Sequence, residues 1–309
     1  MPSNIEVRKI AQMSGHRGAI FQLTAGPSPN TFLSAAGDGW IVQWDEDDPD
    51  PGKLVAKADS QLFSLCQIRD SALLAAGDMN GGIHWIDLDT PDNNKDIAHH
   101  KKGTFVLRQI DEHLYSLGGD GIITKWAIPQ KRPLESYQLS HQSLRCLAYH
   151  AQRQCLAIGS SDHNIYLLDV KSLEIQQVIH NAHENSVFSL AFSPDGQHLF
   201  SGSRDAHLKV WDLDHGPECI SKQAAHLYTI NSIAFHPKGH LFATASRDKH
   251  LKIWDASSLQ LLKVIEPMRD DGHVNSVNDL YWSSYKNYLI SCGDDRMIKI
   301  WDVAEGITI

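Results

Sequence analysis

A recurring phrase constrains this chain more than any other feature. SGSRDAHLKVWD (201–212), TASRDKHLKIWD (244–255) and SCGDDRMIKIWD (291–302) each run from an Asp through residues of alternating polarity to Trp-Asp. Weaker copies lie upstream, where Gly37-Asp38 leads to Trp44-Asp45, Gly119-Asp120 to Trp126-Ala127 and Ser161-Asp162 to Leu168-Asp169. The most degenerate copy, Gly77-Asp78 to Ile86-Asp87, reads as having two extra residues in its turn. The Trp-equivalent positions are 44, 86, 126, 168, 211, 254 and 301, with gaps of 42, 40, 42, 43, 43 and 47. A chain of 309 residues would ordinarily divide into two cores. A period of about 40–45 residues instead predicts repeated units that bury their faces against one another.

A second signal precedes each Trp position. His16, His183, His226 and His273 lie 28 residues before theirs, His141 lies 27 before Leu168 and His100 lies 26 before Trp126. The second unit has Ala58 at that place. Within one unit, Val187–Phe192, His198–Gly202, His207–Trp211 and Glu218–Lys222 read as four short strands, separated by Ser193-Pro194-Asp195-Gly196 and Arg204-Asp205-Ala206.

On these motifs the chain resembles the WD-repeat β-propeller family over essentially its whole length, most specifically in the first, fifth, sixth and seventh units. The resemblance implies an all-β fold in one domain, 1–309, a single seven-bladed propeller of four-stranded antiparallel blades. Its repeats end near 45, 87, 127, 169, 212, 255 and 302. Ile5 to Ile10 is a further alternating segment. In the family such an N-terminal strand completes the last blade, which removes an open sheet edge.

His, Ser and Asp at fixed spacing suggest a hydrolase at first sight. The sets are His16, Ser34, Asp38 and Trp44; His183, Ser201, Asp205 and Trp211; His226, Thr244, Asp248 and Trp254; and His273, Ser291, Asp295 and Trp301. A nucleophilic site needs one activated constellation with an oxyanion stabiliser, so four copies point to architecture. The resemblance implies a hydrogen-bonded network inside each blade. No enzyme activity is expected, and no G-x-S-x-G elbow or phosphate-binding glycine loop occurs.

The remaining features are weaker. His236-Pro-Lys-Gly-His240 and His180-Asn-Ala-His183 lack a closed ligand set, so no metal and no cofactor are expected. The acidic run Asp45 to Asp50 lacks the carboxylate spacing of a calcium loop and reads as a solvated surface loop. Cys66, Cys146, Cys155, Cys219 and Cys292 form no C-x-x-C and suit small buried hydrophobes in a reducing, cytoplasmic setting. No apolar run approaches the roughly 18 residues of a membrane span, and no signal-peptide core opens the chain. A net charge of −9 disfavours nucleic acid and anionic membrane as partners.

In this family partners often dock on one face of the disc. The resemblance assigns to that face the residue five after the motif histidine: Phe21, Phe63, Phe105, Arg145, Phe188, Asn231 and Asn278. Phe63 follows from aligning the unit without a histidine, Phe105 from counting from His100, and Arg145 from a one-residue deletion after His141. Arg204, Arg247 and Asp294 precede their turn Asp on the same face. The expected function is a non-catalytic scaffold for a protein or peptide with an apolar anchor and an acidic neighbour, acting as a monomer or as a subunit of a complex. A propeller enzyme or small-ligand binder using the central channel is the alternative. RNA binding ranks below both.

Overall fold

The computed structural model describes residues 5–49, 51–214 and 216–305. Among them, 28 strands form seven four-stranded antiparallel sheets. The first sheet contains Ile20–Ala25, Thr31–Ala36, Trp40–Asp45 and Lys53–Lys57 in that order. The first strands of successive sheets pack against one another all the way round, and Val277–Trp282 of the seventh meets Ile20–Ala25 of the first. The sheets are therefore blades around a central channel.

Ile5–Met13 pairs antiparallel with Ile298–Glu305 and makes the outermost strand of the seventh blade. Lys9 lies opposite Trp301 and Met13 opposite Ile298. The last blade is thus built from both ends of the chain.

Burial follows position in the blade. The second strands Thr31–Ala36, Cys155–Ser160 and Leu241–Ser246 are buried at every residue, because a neighbouring blade covers each face. The outer strand Arg132–Gln138 is exposed throughout, and Pro133, Arg132 and Glu135 keep its free edge from templating another strand. In the fifth blade, the Ser193–Gly196 turn has Gly196 at φ +72°, with its N–H donated to Ser193 O at 2.8 Å. A Cβ on Gly196 would meet His150 Nε2 of the fourth blade at 1.9 Å, so this turn requires glycine twice over.

All seven Trp-equivalent positions occupy one register. Phe32 pairs with Trp44, Leu74 with Ile86, Leu114 with Trp126, Leu156 with Leu168, Leu199 with Trp211, Phe242 with Trp254 and Leu289 with Trp301. The second unit's turn is not longer, contrary to the sequence reading. Gly77 pairs with Ile83 as Ala35 pairs with Ile41, which puts Asn80 at the turn-Asp position and Asp78 two residues earlier.

Deleting residues 1–11 should strip the seventh blade of its outer strand. Loss of buried Ile5 and of the anchoring of Met13 should cost about 3–6 kcal/mol, read as a lower urea midpoint. The exposed Ile298–Glu305 edge should also promote self-association, visible by size-exclusion chromatography.

Candidate functional site

The loops and turns at one end of each blade are fixed by a relay of side chains. In the first blade Trp44 Nε1 donates to Ser34 Oγ at 2.8 Å, Ser34 Oγ lies 2.8 Å from His16 Nε2, and His16 Nδ1 lies 3.1 Å from Asp38. Asp38 also accepts the backbone N–H groups of Arg17 and Trp40. The fifth, sixth and seventh blades repeat this through Trp211–Ser201–His183–Asp205, Trp254–Thr244–His226–Asp248 and Trp301–Ser291–His273–Asp295.

The proton positions follow. Burial lowers the His16, His183 and His226 pKa values and brings His100 down to about 4, so these rings are neutral at pH 7. Burial pushes the Asp38, Asp205, Asp248 and Asp295 carboxyls up, but the N–H groups aimed at them outweigh it and hold them below the usual carboxylate range. An ionised carboxylate only accepts, so Nδ1 carries the imidazole proton and Nε2 accepts from the hydroxyl. The order of the bonds matches a catalytic triad. Yet Ser34, Ser201, Thr244 and Ser291 are fully buried and each hydroxyl oxygen already accepts an indole N–H. No substrate carbonyl can reach them.

The sequence reading missed a fifth relay. His100 Nε2 lies 2.8 Å from Ser116 Oγ, which accepts from Trp126 Nε1 at 2.9 Å, and His100 Nδ1 lies 3.1 Å from Asp120. Its signal was the histidine 26 residues before Trp126, obscured by the shorter spacing and by Ala127 in place of Asp.

The other two blades lack the relay as a whole. The fourth has Ile158 and Leu168 at the hydroxyl and indole positions, and Ser140, not His141, fills the histidine position with a 2.5 Å hydrogen bond to Asp162. His141 is exposed. The second has Ala58, Ala76 and Ile86, and Asp78 instead accepts from Ser60 Oγ and from the N–H groups of Asn80 and Gly82.

The seven residues expected on the partner face share one structural feature. The pairing of every first strand with its second strand shifts register at one residue. The residues skipped are Phe21, Phe63, Phe105, Arg145, Phe188, Asn231 and Asn278. Each is the extra residue of a β-bulge, which re-aims its side chain out of the sheet. All seven are half-buried, whereas the residue before each is fully buried, from Ile20 and Leu62 round to Val277. Together the seven line one basin of about 330 Å³ at the channel mouth.

Phe21 meets Phe63 edge-on at 5.0 Å, and Phe63 stacks on Phe105 at 5.6 Å. The Arg145 guanidinium lies 4.4 Å from the Phe105 ring centre and 5.2 Å from that of Phe188. Asn278 Nδ2 donates to Ile20 O and Asp294 Oδ1, and Asn231 Nδ2 to Val277 O and Ser276 Oγ, so both amides tie neighbouring blades together. Below the mouth the channel wall includes Gln22, Cys146, Ser189, Ser232 and Asp279. Burial raises the Asp279 carboxyl to about 6, although it accepts from Leu23 N–H, Ser232 Oγ and Leu280 N–H.

Arg204 and Arg247 are exposed on the same end, since their N–H groups bond Ser186 O and Thr229 O at the base of the histidine loops. Leu227, Tyr228 and Val274, 79 %, 60 % and 60 % exposed, stand on those loops and were missed. The signal of two of them was legible: the residue after the motif position is charged in Arg17, Asp59, Lys101 and Glu184, but is Leu227 and Val274 in the sixth and seventh units.

Three further readings need correction or placement. Glu46 of the acidic run is buried, accepting from Ser283 Oγ at 2.5 Å, so the run is only partly a solvated loop, and Asp50 lies outside the described residues. Four cysteines are buried, but Cys219 is exposed. Among the described residues no group of three His, Cys, Asp or Glu side chains could hold a metal.

The pattern of the WD domain, G-beta repeat family matches residues 7–45, 132–169, 174–212, 217–255 and 264–302. The chain belongs to the WD-repeat family. The ribosome biogenesis protein WDR12 homolog of Chlamydomonas reinhardtii is 25 % identical to this WD-repeat chain over 215 residues, 67 % of this chain and 44 % of that protein. The guanine nucleotide-binding protein subunit beta of Saccharomyces cerevisiae is 25 % identical over 217 residues, 67 % and 49 % respectively. The chain thus spans less than half the length of either relative. The WD40 beta propeller domain of Doa1 superposes with a TM-score of 0.84 at 19 % identity, covering 96 % of this chain and 97 % of that one, which is a likeness of fold.

Two outcomes follow. Trp126→Phe should cost about 1–3 kcal/mol more than Trp85→Phe in chemical denaturation, because Trp126 Nε1 has a buried partner in Ser116 while Trp85 Nε1 has none among the described residues. The relay histidines should also make stability pH-dependent. Unfolded, His100 takes up its proton near 6.5; folded, it stays neutral to about 4. The unfolded chain therefore binds more protons in that window, and the melting temperature should fall as pH drops from 6.5 towards 4.

Proposed function

We propose that this WD-repeat propeller is a non-catalytic platform that binds a protein or peptide on the face bearing the basin. The observation that carries the reading is the ring of seven bulge residues around one basin, four of them Phe. A bulge residue is left out of the strand ladder and its side chain is turned out of the sheet; Asn231 and Asn278 use that to bond the next blade, whereas the four Phe have no polar group to bond with and present their rings to the basin. Phenylalanine gains nothing from water, and several on one face make an apolar patch of the kind that marks a partner site. Arg145, Arg204 and Arg247 beside them supply the other residue type that dominates interface energetics.

The family supports the same reading. One relative is by name a subunit of a larger protein, and another a ribosome biogenesis protein. A net charge of −9 argues against nucleic acid as the partner. A reducing, cytoplasmic setting belongs to the same proposal and is supported by four buried thiols with no disulfide among the described residues.

The test compares Phe63→Ala/Phe105→Ala with the wild type in quantitative affinity capture from cells, alongside thermal melts. Partner binding should weaken by about 2 kcal/mol or more for each truncated hot spot, with little change in melting temperature. Leu62→Ala, one residue away and fully buried, should instead cost about 2–5 kcal/mol of stability. Unchanged partners in the double variant would move the docking site off this face.

A further inference from the structure

We propose that the basin receives the C-terminal residue of a partner chain, its apolar side chain against the Phe21–Phe63–Phe105 arc and its α-carboxylate on Arg145. The inference rests on the basin being the docking site and adds which part of the partner enters it.

The lining of the basin is chemically sparse. At the mouth it consists of four Phe, Arg145, Asn231 and Asn278, and the carboxylate in the wall below, Asp279, is bonded to Leu23 N–H, Ser232 Oγ and Leu280 N–H. Arg145 donates its Nε–H to Ser161 Oγ at 3.0 Å, its faces lie against Phe105 and Phe188, and no acidic side chain pairs with it among the described residues. Burial weakens its hold on its proton, and the Arg204 charge adds to that effect. A half-buried guanidinium with no paired counter-charge and with Arg204 near it is an incomplete arrangement, because desolvating an unpaired charge is costly, and Asp294, the acidic residue on this face, is held by Asn278 of the seventh blade. A carboxylate entering from outside completes it, and the free Nη edge of an arginine suits the two oxygens of one carboxylate. A single guanidinium in an apolar cup matches a monoanion.

Spacing then selects a chain terminus over an internal acidic residue. The guanidinium lies 4.4 Å from the centre of the Phe105 ring, so the anion and the apolar group must reach the protein side by side. In an extended peptide, neighbouring side chains point to opposite faces, and the next one on the same face is about 6.6 Å away. An internal Asp next to an apolar residue would aim its carboxylate out of the basin. A C-terminal residue carries both groups on one Cα. Its backbone N–H can meet Asn231 Oδ1, which accepts no hydrogen bond among the described residues although both Nδ2 bonds of that amide are made.

The probes are fluorescein-labelled hexapeptide pools, degenerate in the first five positions and ending in Phe or Leu, each prepared as the free acid and as the carboxamide. Binding is read by fluorescence anisotropy with the full chain. The free acids should bind at least tenfold more tightly than the amides, and Arg145→Gln should bring that ratio close to one while leaving the melting curve in place. Phe188→Leu, which removes one face of the guanidinium sandwich, is the second variant should Arg145→Gln fail to fold, and it should reduce the ratio. Equal binding of acid and amide, or no binding by either pool, overturns the proposal. If the cellular partner still depends on Phe63 and Phe105 in that event, the platform reading stands and only the terminus is wrong. If the partner ignores both residues, the platform reading has failed as well.

Discussion

Everything in this molecule depends on shutting the ring. A four-stranded twisted sheet with two apolar faces is marginal alone, and here each face is covered only by the next blade. The cores are accordingly shared. Trp44 of the first blade packs in one cluster with Ile290, Cys292, Ile298 and Ile300 of the seventh, and Trp301 of the seventh with Leu241, Ala243 and Ile253 of the sixth. An open ring would leave one such interface bare. The pairing of Ile5–Met13 with Ile298–Glu305 makes the last blade inseparable from the first residues of the chain.

Within that frame the polar relay is either complete or gone. Five blades have indole, hydroxyl, imidazole and carboxylate together, while the second and fourth have none of the first three at the relay positions, and in the second Asp78 meets Ser60 Oγ and His84 Nε2 from other positions. The reason is energetic. A buried hydroxyl without its indole, or an indole without its hydroxyl, would keep the desolvation cost and lose the bond. Apolar replacement of the whole set, as Ile158 with Leu168, avoids that cost. The carboxylate at the turn is the member that persists, as Asp162 or in displaced form as Asp78, because it serves backbone N–H groups that exist in every blade.

This division explains how much of the fold could be read directly. The Trp-Asp endings and the histidine spacing are fixed by the relay and the blade register, so seven units were legible, while the closing role of the N-terminal strand came from the resemblance. Where the relay is absent the spacing is released, and residue identity points to the wrong positions: Ser140, not His141, stands at the histidine position, and Asn80, not Asp78, at the turn position. In both units residue identity is a poor ruler. The backbone ladder, which is the true ruler, leaves no mark in a single sequence.

The basin shows the same limit from the functional side. A bulge is a property of two paired strands, so nothing in Ile20-Phe21-Gln22 alone distinguishes a core phenylalanine from one turned towards the channel mouth. The positions came from the resemblance, and the half-burial of all seven follows from the register shift that each blade repeats. Rings are also accommodated from below. A Cβ on Gly119 would come within 2.9 Å of the Phe105 ring, and one on Gly103 within 3.2 Å of both Phe63 and Phe105. Glycine at these two loop positions thus lets the aromatic arc lie close to the backbone. The frame is set by repetition, and the chemistry of the mouth by the one residue per blade that repetition leaves unpaired.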